Sequence, residues 1–210
     1  MNGIQQSDFN NMTKDIFQQQ PVLEDERVML RALQENDTEH LLPFSLQEPE
    51  IWKFGLVTAA GEENLKNYIS TAVKNLADKK EYPFIVFDKK TNRYAGCTRF
   101  YDIQQPWLSA QLGYTWYGKD FQRSGLNRHC KLLLLTFVFE EWGMERLEFR
   151  ADANNARSVA AMKAIGCIEE GILRNHMPTA SGGRRDSIVL SILKTEWFAG
   201  VKDLLQQITH

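Results

Sequence analysis

"FQRSGLNRHCKLLLLTFVFEEWG", Phe121 to Gly143, sets a glycine, an asparagine and three basic side chains directly before an apolar run of helix length. The first turn of a helix leaves several backbone N–H groups without intrahelical partners and carries a partial positive charge. A flexible, cationic helix start that follows a strand is therefore a place where an anion can bind. The layout is shared by many phosphate sites, so its details matter. A dinucleotide fold asks for G-x-G-x-x-G with an acidic residue about 20 positions on, and a P-loop asks for G-x-x-x-x-G-K-[ST]. "GKDFQRSGLN" (Gly118–Asn127) satisfies neither.

Upstream of this stretch, "RVMLRAL" (Arg27–Leu33) alternates like a half-buried strand, and Asn36 to Thr38 supply a helix-start signal. Leu65, Tyr68, Ile69, Ala72, Val73 and Leu76 fall at helical spacing and predict an amphipathic helix with a charged outer face. "EYPFIVFDKKTNRYAGCTRFYDIQ" (Glu81–Gln104) predicts two strands around a turn at Lys89–Asn92, and "PWLSAQLGYTWYG" (Pro106–Gly118) a third. Downstream, the opening stretch predicts a helix over Ser124–Trp142, followed by a strand "ERLEFRAD" (Glu145–Asp152) and a helix "NNARSVAAMKAIG" stopped by Gly166. Strand, helix, strand, helix implies right-handed crossovers with parallel neighbours. "CIEEGILRNHM" (Cys167–Met177) and "RRDSIVLSIL" (Arg184–Leu193) then form a hairpin, and "KTEWFAGVKDLLQQI" (Lys194–Ile208) a closing helix.

The expected fold is α/β: a mixed central sheet with an antiparallel N-terminal meander, a parallel pair around the anion-binding helix, a C-terminal hairpin, and helices on both faces. Residues 23–210 form one domain. Residues 1–22 are a Gln/Asn-rich extension, either mobile or a short docking helix, without the basic-then-apolar layout of a secretory signal.

Composition excludes several partners. Lys and Arg number 25 against 27 Asp and Glu, for a net charge of -2. Such a chain has no overall attraction to nucleic acid or an anionic membrane, so anion binding must be local. Cys97, Cys130 and Cys167 are odd in number, far apart and never in C-x-x-C, which suggests neither a disulfide framework nor zinc but small buried hydrophobes in a reducing cytosol. His129 and Cys130 are adjacent on a helix and point about 100° apart, so they are not a metal pair. No stretch approaches the roughly 20 apolar residues of a membrane span. The expectation is a cytoplasmic protein without metal, nucleic acid or membrane partner.

The loop Gln122, Arg123, Ser124, Gly125, Leu126, Asn127 resembles motif A of the GNAT superfamily of acetyl-CoA-dependent N-acetyltransferases, Gln/Arg-x-x-Gly-x-Gly/Ala after an extended strand. Asn127 departs from the usual small residue, although asparagine tolerates unusual backbone angles better than most. Asn155-x-x-Ser158, with Gly166 eight residues later, resembles the superfamily's second motif, and "GILRNHM...RRDSIVLSIL" resembles the ending of the RimJ/RimL-like branch. The likeness spans Arg27 to Leu193. It implies that acetyl-CoA is bound by loop amides from Arg123 to Arg128, with Gly125 permitting close approach and Arg123, Arg128 and Lys131 screening charge. Pantetheine would lie along the backbone of Thr115, Trp116 and Tyr117 and meet the amide of Asn155. Gly125, Asn127 and Asn155 also read simply as turn and cap residues.

Acetyl transfer needs a neutral amine, a donor for the developing oxyanion and a proton source for the leaving thiolate. The resemblance puts the oxyanion donor at a backbone N–H near Thr115. Many relatives carry a tyrosine acid where this chain has Met162, and some carry a glutamate base where it has Gln111. Substitutes are Ser158 as acid and His176 or Glu148 as base; each has a bland alternative, a helix-start serine, a hydrogen-bonded histidine and a Glu148–Arg150 pair. Loss of the amine proton to water is a third route. The resulting expectation is transfer of acetyl from acetyl-CoA to a primary amine, a protein N-terminus or a small amine, by direct attack in a ternary complex. The alternative is a catalytically idle acyl-CoA-binding protein. The closing segment, with Trp197, Phe198, Val201, Leu204, Leu205 and Ile208, needs cover from its own domain or from a second copy in a homodimer.

Overall fold

Strand Tyr82–Asp88 is buried at every position except Phe87. A strand reads this way when both its faces are covered, and it marks the centre of the molecule. The structure, a computed structural model, describes residues 15–180 and 182–209; most of the extension expected at 1–22 lies outside these residues.

Among the described residues, eight strands form one open sheet. They are β1 (Leu23–Glu24), β2 (Val28–Ala32), β3 (Tyr82–Asp88), β4 (Arg93–Gln104), β5 (Ser109–Tyr117), β6 (Arg146–Asp152), β7 (Ile168–Pro178) and β8 (Arg184–Leu193). Their spatial order is β1-β2-β3-β4-β5-β6-β8-β7. The first five make the expected antiparallel meander, β5 and β6 are the parallel pair, and the closing hairpin lays β8 against β6 with β7 outermost.

The helices are α1 (Ile16–Gln19), α2 (Thr38–Gln47), α3 (Glu62–Ala77), α4 (Leu126–Thr136), α5 (Ala156–Ala164), α6 (Lys194–Glu196) and α7 (Lys202–Thr209). Helices α2 and α3 pack on each other and on β4 and β3, whereas α4 packs on β1 and β2 and is covered by α7. The closing segment thus packs on its own domain: Trp197 and Leu205 are fully buried, while Phe198 and Leu204 stay exposed. Within the N-terminal extension, Ile16 is buried in the core.

Two helices depart from their expected outline. The α-helix predicted to reach Trp142 ends at Thr136 and continues as a π-helical turn, Phe137–Glu141. Phe137, Val138 and Phe139, in this wider turn, are all buried. The closing helix is likewise interrupted by a π-helical turn, Trp197–Val201, with a kink at Gly200.

The decisive feature is how short the parallel pairing is. β5 and β6 are in register only at Ser109–Arg146, Ala110–Leu147 and Gln111–Glu148. Three residues later β5 carries a bulge: Tyr114 and Thr115 together face the single residue Thr98, between the pairs Arg99–Gly113 and Cys97–Trp116. Tyr114 takes a left-handed φ of 50°. An extra residue bends the bulged strand and raises its twist, so β5 and β6 part into a fork.

Candidate active site

The fork opens into a cavity of about 620 Å³. Past Gln111 the edge of β5 that faces β6 has no strand beside it among the described residues, and Thr115, Trp116 and Tyr117 line the cavity. A bare strand edge is a template for an extended chain. Gln122 closes its far end, donating from Nε2 to the Tyr117 carbonyl (2.9 Å) while its own Oε1 accepts from Arg157 (2.6 Å).

At that end the loop before α4 turns its backbone to the same cavity. Arg123 and Gly125 have left-handed φ values of 60° and 86°. A Cβ built on Gly125 meets no atom within 4 Å. Among the described residues, the amides of Arg123, Ser124, Gly125 and Asn127 have no hydrogen-bond partner; that of Leu126 reaches Ser124 Oγ (3.4 Å) and that of Arg128 the Gly125 carbonyl (2.8 Å). Unpaired N–H groups in a left-handed turn at a helix start form an anion-binding concavity. Asn127 departs from the expectation of unusual backbone angles: it is an ordinary helical residue whose Oδ1 accepts from the Tyr117 hydroxyl (3.3 Å), tying the end of β5 to α4. Leu126 buries its side chain in the core. Arg123 is exposed at the mouth, and Arg128 donates to the Ile208 carbonyl on α7 (2.8 Å).

Deeper in the fork stands Lys131. Its side chain is buried, with Nζ 3.5 Å from Thr115 Oγ1 and 5.6 Å from the centre of the Phe149 ring, and it forms no ion pair among the described residues. Burial pulls its pKa down to about 8. The neighbouring thiols of Cys130 and Cys167 are themselves pushed up to about 12 by burial and bring no negative charge. Across the fork, Asn155 caps α5, its Oδ1 accepting from the Ser158 amide (3.2 Å). That leaves the Asn155 Nδ2 and the Ser158 hydroxyl without a partner among the described residues, both lining the cavity beside Met162.

Residues 27–168 match the family described as "Acetyltransferase (GNAT) domain". The chain belongs to the GNAT acetyltransferase family. It is 26% identical over 176 residues to the Bacillus subtilis protein "Putative ribosomal N-acetyltransferase YdaF", covering 82% of this chain and 94% of that one. A shorter match, 36% identical over 76 residues, relates 35% of the chain to 48% of the "[Ribosomal protein bS18]-alanine N-acetyltransferase" of Salmonella typhimurium. A GCN5-related N-acetyltransferase structure from Brucella melitensis superposes with a TM-score of 0.83 over 91% of this chain and 86% of that one, at 24% identity.

The GNAT fork brings Ser158 together with the predicted cofactor residues other than Ser124 and Leu126, which do not line the cavity, but not with the two predicted bases. Glu148 lies outside the cavity lining, with Oε2 on Arg146 (2.9 Å) and Oε1 on Arg150 (2.6 Å). His176, on the outermost strand β7, does not line the cavity either, and its Nδ1 lies 3.0 Å from Ser187 Oγ. Burial and then the nearby Arg150, Arg185 and Arg184 lower its pKa. Gln111 is buried beside Glu148 and donates to Asp102 (2.7 Å).

On the far side of the sheet the GNAT cavity carries Tyr101, Tyr114, Arg150, Asp152 and Arg185 beside the aromatic wall of Trp52, Phe54 and Tyr68. Sequence reasoning missed Asp152 and Arg185 as lining residues. Asp152 ends a strand and Arg185 sits in an "RRD" run beside a turn, and both patterns read as solvated surface. Among the described residues no helix is long and apolar enough to cross a membrane.

Proposed function

We propose that this protein transfers the acetyl group of acetyl-CoA to a primary amine, a protein N-terminus or a small amine, by direct attack in a ternary complex. The observation that carries this reading is the bare edge of β5 running into four unpartnered amides, within one cavity that also reaches Tyr114, Asp152 and Arg185. Those residues fit the donor. The amides of Arg123, Ser124, Gly125 and Asn127 suit the diphosphate, with Arg123 and Arg128 as outer charge. The backbone of Thr115, Trp116 and Tyr117 suits pantetheine as an added strand, and the free Nδ2 of Asn155 suits one of its carbonyls. When bound, acetyl-CoA supplies the thioester carbonyl as electrophile.

The protein's own part is positioning and proton movement. A backbone N–H near Thr115, in the bulge, is the oxyanion donor. Ser158, unpartnered and in the cavity, relays a proton to the leaving sulfur, regaining from water the one it gives, a role Met162 cannot take. Lys131 adds a desolvated cation nearby, which favours negative charge on that sulfur. Glu148, held between two guanidiniums, acts by fixing Arg150 at the cavity wall. The amine loses its proton to water, because neither Glu148 nor His176 lines the cavity.

The ribosomal-protein names of the two sequence relatives favour a protein N-terminus as acceptor. A cytoplasmic setting without nucleic acid or membrane partner agrees with the charge and cysteine pattern, and a homodimer would use the exposed Phe198 and Leu204. Met162 and Gln111 favour the alternative of an idle acyl-CoA-binding protein. Thiol release from acetyl-CoA with a panel of amines and peptides tests both: turnover on any amine supports transfer, and binding of CoA without turnover on every amine supports the idle protein.

A further inference from the structure

The buried and half-buried arginines of this fold are matched with carboxylates: Arg27 with Asp88 (2.6 Å), Arg31 with Asp37 (2.6 Å), Arg99 with Glu81 (2.7 Å) and Arg150 with Glu148 (2.6 Å). Arg185 is the exception. It is 7% exposed, and its Nε donates to Ser187 Oγ (2.9 Å). Among the described residues it forms no ion pair, and its two terminal nitrogens meet no acceptor. Those nitrogens are not sealed in the core, because Arg185 lines the cavity.

The charged and titratable neighbours of Arg185 do not cancel it. Asp152 on β6 attracts it from beyond ion-pair reach, and Asp152 Oδ1 is already taken by the backbone and side-chain N–H groups of Asn154 (2.8 and 3.1 Å). Arg150 repels it, and Tyr101 and Tyr114 are phenols whose ionisation burial opposes. A lysine so placed could shed its proton, whereas a guanidinium stays charged. Burying an unpaired charge is strongly unfavourable, so the site is electrostatically incomplete without an anion.

Strand alternation fixes which half of the cavity lacks it. Ser187 pairs directly with Asp152, so Arg185, two residues before Ser187, shares the sheet face of Asp152 and Arg150. Phe149 points to the opposite face, where Lys131 of α4 packs on its ring. Arg185 is therefore on the other side of the sheet from the phosphate-binding loop.

Resting on the acetyl-transfer reading above, we propose that Arg185 is an anion subsite of the acceptor pocket, taking a carboxylate carried a few bonds from the amine to be acetylated. The carboxylate comes either from the α-carboxyl of a free amino acid or from an acidic side chain near a peptide N-terminus. Polycationic amines such as polyamines and aminoglycosides are poor acceptors, because an uncompensated guanidinium repels them.

The test compares paired acceptors that differ only in that group: free amino acids against their amides, and short peptides with Glu or Asp against Gln or Asn at the second and third positions. A charge-assisted bidentate bond predicts a kcat/KM ratio of about 10- to 100-fold in favour of the carboxylate in one of the two sets, and which set shows it identifies the source. Arg185→Gln should bring that ratio near one, and Arg185→Lys should restore part of it. A ratio near one in the wild type, or one that survives Arg185→Gln, overturns the proposal. If no amine of any kind is turned over, the acetyl-transfer reading fails instead, and the subsite is judged by thermal unfolding with glutarate. A rise in Tm for the wild type but not for Arg185→Gln upholds it, and no rise for the wild type rejects it.

Discussion

Replacing Lys131 by methionine should make the protein more stable at neutral pH. The folded protein holds this ammonium at about 8, against 10.5 for an unburied lysine, with burial as the dominant cause. Between those two values the unfolded chain binds more protons than the folded one, so stability rises with pH across that window; below it both states are charged and the folded state bears the whole penalty. At 1.36 kcal/mol per pH unit the penalty is about 3 kcal/mol. Methionine keeps the unbranched stem and removes the charge, losing only the long contact with Thr115 and the packing on Phe149. A net gain of about 1–3 kcal/mol is therefore expected at pH 6.5, or roughly 2–4 °C in Tm for each kcal/mol in a chain of this size. Urea unfolding of both proteins at pH 6.5 and pH 9.5 is the assay, and the gap should be clear at the lower pH and shrink at the higher. A mutant less stable than wild type at pH 6.5, or a gap that ignores pH, refutes the reasoning. The same substitution should weaken CoA binding, since the cation lines the cavity the donor would fill.

Gly125→Val forces a β-branched residue into a left-handed turn, costing about 1–2 kcal/mol of stability, and its side chain projects into open cavity space; calorimetry should show CoA affinity falling at least about tenfold while the far-UV spectrum is unchanged. Asn155→Ala removes a helix cap worth about 1 kcal/mol and, on our assignment, a donor to CoA worth about the same; loss of stability without loss of affinity would leave it only a cap. His176 stands outside the cavity, so His176→Ala should leave the pH–rate profile unchanged, and a flattened acid limb would put the imidazole in the proton path.

Much of this fold could be read from local pattern. The alternation of β2, the helical spacing in α3 and the glycine stop at Gly166 are short-range signals, and the elements stand where those signals lie. The loop before α4 stood out in sequence by its glycine and cations, and it takes left-handed turns at Arg123 and Gly125. What remained hidden depends on cross-strand register. The bulge at Tyr114, which opens the fork, has no signature beyond the glycine that precedes it. Arg185 is an ordinary basic residue beside a turn until β8 is laid against β6, and the distance of His176 from the cavity follows from β7 being outermost. Glu148 had both an interesting and a plain assignment from sequence, and its two arginine partners show how fully its oxygens are occupied.

The most direct test of the account is a crystal structure with CoA bound. It should show diphosphate oxygens about 2.7–3.2 Å from the amides of Arg123, Ser124, Gly125 and Asn127, with pantetheine beside Thr115–Tyr117 in the fork. CoA lodged in another crevice, with those amides facing solvent, would contradict it.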